Sequence, residues 1–215
     1  MRLATIWRAV FAVVSICVAL QCQAQPTNDL REFRIGESVQ ELPANGYIHF
    51  SCLHDSSTIL GNWQDYRRCQ PDARGLHAVA FEYDTSENPL ALANDSYAGT
   101  RIAGQPVRLA LLISDDGHVG GIWIQTDPDA RLYLRKKAFL FGLQARARYG
   151  ADGWKCKQLE PGPGQEPVGG VFIKEHCEKT TATRHLIVDR VLYRPMGKPL
   201  QDFVSSSSLL ILPPE

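Results

Sequence analysis

The sequence predicts an α+β protein: antiparallel β-sheets built from hairpins, packed against one long helix over about 128–149 and stapled by disulfides. Three observations carry this expectation. Short runs of alternating apolar residues recur on both sides of the chain's middle. Asp127-Pro128-Asp129 opens a stretch of helical apolar spacing that stops at Gly150. Four cysteines remain once an export leader is set aside.

Composition sets the frame. The chain has 215 residues, 44% hydrophobic, 9% aromatic and 21% charged, with zero formal net charge. That balance excludes a disordered chain and a binder that meets polyanions over its whole surface. The zero is an average. Residues 25–100 hold 5 Lys and Arg against 11 Asp and Glu, whereas residues 101–215 hold 16 against 12. An acidic 25–100 half and a basic 101–215 half therefore lie within one expected mature α+β domain, 25–215.

Residues 1–24 read as a signal peptide. Arg2 and Arg8 supply the charged start, Ala9 to Leu20 is apolar but for one Ser, and Gln21-Cys22-Gln23-Ala24 places small residues at the two cleavage-site positions. Twelve apolar residues fall short of the about 20 that a membrane-spanning helix needs. The expected location is periplasmic or secreted, with a soluble mature chain and no transmembrane segment. Cys17 and Cys22 leave with the leader. Of the three pairings open to Cys52, Cys69, Cys156 and Cys177, the local one, Cys52–Cys69 with Cys156–Cys177, closes the shortest loops and is favoured.

Along the mature chain, 25–32 reads as a loose polar leader. Gly46 to Leu53 reads as a strand with Ile48, Phe50 and Cys52 on one face and Tyr47, His49 and Ser51 on the other. Trp63 to Arg68 suits a turn or one helical turn. His77 to Tyr83 alternates again, and 84–99 has loop composition. Val107–Ser114 and His118–Thr126 flank Asp115-Asp116-Gly117, where Asp-Gly predicts a type I′ hairpin turn. The helix then starts on its acidic, proline-marked cap and carries Leu134, Ala138, Phe141, Ala145 and Tyr149 on one stripe, with Leu132, Phe139 and Leu143 nearly opposite. The last third returns to strands at 153–157, at a hairpin of 168–178 with 184–193, and at 209–212. Residues 160–167 form a proline-rich loop.

The search for catalytic motifs is mostly negative: the chain has no HExxH, GxSxG, Walker or GxGxxG pattern, and its mature part has no CxxC. His49, Cys52, His54, His176 and Cys177 contain metal-ligating types, but bonded cysteines lack thiolates and His49 points away from Cys52. No metal site and no cofactor is expected. Glu175 and Arg190 lie on sheet faces where they are expected to pair. Arg131, Arg135, Lys136, Lys137, Arg146 and Arg148 make the predicted helix basic and suit an anionic protein or envelope surface. Nucleic acid is not expected. Gly120-Gly121 and Gly169-Gly170 suit bulges, and Asn94-Asp95-Ser96 fits a glycosylation sequon. The functional expectation is an exported binding or assembly domain without evident catalytic motif. The alternatives are an exported hydrolase with a dispersed site among His49, His54, His77, His118, Glu175 and His176, and, ranking last, a metal-binding protein.

Overall fold

The computed structural model describes residues 28–94 and 97–214. The expected leader at 1–24 lies outside the described residues, as do Asp95 and Ser96 of the sequon. Among the described residues eleven strands form one antiparallel system: β1 (Tyr47–Cys52), β2 (Asp55–Ile59), β3 (Leu76–Tyr83), β4 (Arg101–Ile102), β5 (Gln105–Ser114), β6 (Val119–Thr126), β7 (Lys155–Gln158), β8 (Gln165–Glu166), β9 (Ile173–Thr180), β10 (His185–Pro195) and β11 (Val204–Leu212). Their order is β2-β1-β3-β5-β6-β11-β10-β9-β7, with β4 on β5 and β8 on β10.

The α+β expectation is therefore corrected. Over the described residues the fold is mostly antiparallel β, 43% strand against 16% helix, with only short helices. The expected long helix at 128–149 is broken into α2 (Leu132–Arg135) and α3 (Ala138–Arg148), while α1 (Pro89–Ala93) lies in the segment read as loop. The physical reason is local. Asp127 accepts from the backbone N–H of Asp129 at 3.1 Å, closing a turn rather than capping a helix. Asp127 and Asp129 both pair with Arg108 on β5, which holds residues 127–130 against the sheet. Neither α2 nor α3 has a side-chain cap, and Lys137 stands at the break.

The inner face of the sheet carries the core. Val107, Leu109, Leu111 and Ile113 of β5 meet Ile122 and Ile124, Leu209 and Ile211, and Leu186 and Val188 from the strands beyond, all at most 5% exposed. Phe141 and Ala145 of α3 cover β10 and β11 from this side. At the other end Phe33, Tyr47, Phe50, Trp63, Phe81 and Tyr83 pack largely edge to face. Residues 28–32 are not a loose leader throughout: Asp29 and Leu30 are buried. Asp29 pairs with Arg184 and accepts from the Ile35 N–H at 2.8 Å.

Three local readings change. The hairpin between β5 and β6 has three loop residues, with Gly117 N–H bonded to Ser114 C=O and Ser114 N–H to His118 C=O. Only Gly117 there has positive φ, so the turn is type I followed by a left-handed glycine, not type I′. In β1 the register shifts between Ile48 and Ser51, and His49 adopts φ +59°. That bulge puts Tyr47 on the core side with Phe50, against the strict alternation expected. Gly120 is likewise the extra residue of a bulge opposite Leu112 and Ile113. The strand expected at 209–212 takes in the Ser205–Ser208 run as well, and β11 lies between β6 and β10. Ser207, almost fully buried, donates from its hydroxyl to Ala138 C=O at 3.0 Å, which ties α3 to the sheet.

Candidate functional site

Cys52 is bonded to Cys69 and Cys156 to Cys177. The second bridge sits under α3 in a charged nest. Cys156 Sγ, Cys177 Sγ and a Glu175 oxygen lie within 4.8 Å of one another, a set whose residue types could ligate a metal. The donor chemistry does not fit, because the sulfurs are bonded to each other and Arg146 Nη1 lies 3.0 Å from both. Glu175 instead pairs with Arg190 at 2.7 Å and Arg146 at 3.4 Å, the first being the pair its sheet position led one to expect. Arg190 also donates to Phe139 C=O at 3.0 Å. Its side chain reaches there because α3 carries Gly142: a Cβ at that position would stand 2.4 Å from Arg190 Cγ.

The five histidines considered for a dispersed hydrolase site do not all converge on one place. Buried His77 sets Nδ1 2.6 Å from Cys69 C=O and Nε2 2.8 Å from Asp115. His49 faces Glu82, His118 faces Asp116, and His176 lies between Asp189 and Glu178. His54 is exposed on the turn between β1 and β2. His77 and His118 both meet the β5–β6 turn, through the adjacent Asp115 and Asp116, whereas His49, His54 and His176 lie elsewhere. None of the three clefts that Arg131, Lys136 and Arg148 line holds more than one of these histidines.

The His176 cluster makes a pH prediction. Hydrogen bonds to Glu178 and then Asp189 raise the imidazole pKa above its usual 6.5, and His176 in turn lowers that of Glu178. The histidine's contribution is fully present below 6.5 and is lost as pH rises through the raised folded value. The contribution of Glu178 is lost as pH falls through its depressed value. The melting-temperature advantage of the native protein over His176→Gln should therefore be largest in mildly acidic buffer and should shrink on both sides. A difference independent of pH, measured by thermal unfolding, would contradict this.

The basic stretch does not form one face. Arg146 turns inward to Glu175, Arg135 lies over the Phe203 ring, and Lys137 stands between α2 and α3. Arg131 lines a polar cleft and Lys136 a small apolar one of about 320 Å³. Arg148 lines a cavity of about 680 Å³ between α3, the sheet and the N-terminal segment.

That cavity has a clear division of chemistry. Leu30, Ile102, Ile124, Phe141, Ala145 and Leu209 make an apolar floor from five separate segments of the chain. Arg31, Arg101 and Arg148 stand around it. Arg31 Nη2 donates to Arg101 C=O at 2.8 Å and its guanidinium lies 4.1 Å from the Tyr83 ring centre. Arg101 Nη2 donates to Gly104 C=O at 2.7 Å. Carbonyl and ring contacts of this kind orient the two cations without neutralising them. Tyr149, also on the wall, donates to Asp29 C=O at 3.2 Å, and burial holds its phenol above the ordinary pKa, so it stays neutral. A space of this size suits a small-molecule ligand. Sequence reasoning found Arg148 through the basic run and missed the rest, since no local pattern joins Leu30, Ile102, Ile124 and Leu209.

Among the described residues no helix is long and apolar enough to cross a membrane. No protein-family model, curated protein or solved structure matches the chain, so its own geometry carries the functional reading.

Proposed function

We propose that this chain is an exported binding domain whose ligand is an anionic amphiphile, an apolar tail ending in a carboxylate-like head. The observation that carries this reading is the 680 Å³ cavity with an apolar floor and three arginines around it. Taking the tail's own apolar surface out of water supplies the driving force, at about 25 cal/mol per Å². The arginines set the sign of the head group and, as planar forks, match a carboxylate's geometry. Export fits the leader-like first 24 residues and the two disulfides, and points to a periplasmic or secreted location. The anionic partner expected of the basic stretch becomes a small ligand at Arg148 rather than a protein or envelope surface.

Calorimetric titration with dodecanoate, its methyl ester and dodecylamine tests the proposal. Dodecanoate should bind best, with the ester about tenfold weaker and the amine weaker still. Arg148→Ala should lower dodecanoate affinity about tenfold or less, as expected for an exposed charge–charge contact, and leave the ester unaffected. Equal affinity for the acid and the amine, or no uptake of any of the three, would overturn it.

A further inference from the structure

A second cleft, of about 630 Å³, lies over the outer face of β1, β3 and β5, beneath the 127–134 segment. Its chemistry is the opposite of the first. His49, Ser51, Ser56, Glu82, Arg108 and Asp127 line it, together with the half-exposed ring of Tyr133.

The placement of these groups follows from the chain. The bulge in β1, with His49 in the left-handed region, turns the imidazole out of the core and sets Nδ1 3.4 Å from a Glu82 oxygen. A left-handed backbone at a non-glycine residue costs about 1–3 kcal/mol and persists only where its surroundings enforce it. Arg108 alternates outward from buried Val107 and Leu109, and its fork is held by Asp127 Oδ1 at 3.3 Å and by Asp129. The same two aspartates that stop a long helix from forming thus position a guanidinium in this cleft.

The charge arrangement selects the ligand class. An anion would meet Glu82, Asp127 and Asp129; a cation would meet Arg101, Arg108 and Arg131. Three guanidinium groups thus face three carboxylates, and Arg108 is already paired with two of these, so the site offers a ligand little net charge. It does offer alternating donors and acceptors: guanidinium N–H groups, carboxylate lone pairs, serine hydroxyls and an imidazole. Hydroxyl groups, which donate and accept at once, match that alternation. Tyr133 adds a flat apolar ring on which the C–H face of a sugar can rest.

We infer that the outer cleft formed by His49, Glu82, Arg108 and Tyr133 binds a neutral oligosaccharide. The linings of this site and of the amphiphile cavity have only Arg101 in common, and neither test substitutes it, so the two proposals stand or fall separately.

The test is titration of the mature protein with cellohexaose, chitohexaose and maltohexaose, followed by calorimetry and by amide shifts in NMR spectra, with a sulfated heparin hexasaccharide as the charged comparison. At least one neutral sugar should bind, with shifts at Tyr133 and Glu82. Tyr133→Ala should weaken it about tenfold or more, and Arg108→Gln should weaken it as well. Both side chains are half exposed, and matching thermal melts establish that each variant is folded. The inference is overturned if no neutral sugar binds at millimolar concentration, if Tyr133→Ala binds as tightly as the native protein, or if the sulfated sugar binds more tightly than all three.

Discussion

Glu175→Ala is expected to destabilise the protein by about 3–5 kcal/mol, the cost of breaking a buried ion pair from one side. Glu175 is the carboxylate between Arg190 and Arg146, and all three side chains are at most 23% exposed. Without it, two guanidinium groups remain beneath α3 with no compensating charge, while Arg190 is still held there by Phe139 C=O. The midpoint of urea unfolding should fall with little change in slope, because the surface exposed on unfolding is unchanged. Adding Arg190→Leu should restore part of the loss, since a buried pair replaced by apolar side chains is often neutral or better. Two losses that simply add would show that Glu175 and Arg190 are not coupled.

Removing the Cys52–Cys69 bridge by a double alanine substitution should cost about 3 kcal/mol, the chain-entropy figure for a loop of this length. The bridge spans 17 positions and encloses Trp63 and Tyr66, both buried. Trp63 also donates from Nε1 to Pro43 C=O at 2.9 Å, so the same loop fastens the segment that precedes β1. The two bridges should also differ towards thiol reductants. Cys52 and Cys69 are both nearly inaccessible, whereas Cys156 is exposed on the edge strand β7. Limited dithiothreitol followed by alkylation and mass spectrometry should label Cys156 and Cys177 first. Earlier labelling of Cys52 would contradict the burial argument.

What could be read in advance depended on whether the signal was local. The β5–β6 hairpin was legible because Asp115-Asp116-Gly117 separates two apolar runs; its turn type was not, because that depends on counting the loop residues from the paired Ser114 and His118. The helix was overextended because Asp127-Pro128-Asp129 is a good helix start until Arg108, nineteen positions away, takes both carboxylates. β11 was cut short because four serines favour turns in isolation. Here Ser207 finds a backbone carbonyl and Thr126 to bond with, which a lone sequence does not reveal. For the candidate site, Arg148 stood in a visible basic run, whereas its apolar floor exists only after distant strands pair. Composition shows His49 only as a titratable side chain, because the bulge that aims it rests on register.

The placement of β11 also governs the order in which the molecule can be completed. β1 to β6 form one set of paired strands and β7 to β10 another, and residues 204–212 are the element that bonds to both. Until that segment arrives, β6 and β10 are open strand edges, able to pair with a neighbouring chain instead. The closing contacts span more than eighty positions, Gln125 to Ser208 for one, which makes them slow to find. A nascent chain halted before Val204 would therefore stay incompletely folded and exposed to aggregation. On the export proposed above, the same delay would keep the chain threadable, with final assembly deferred until the whole strand is free to insert.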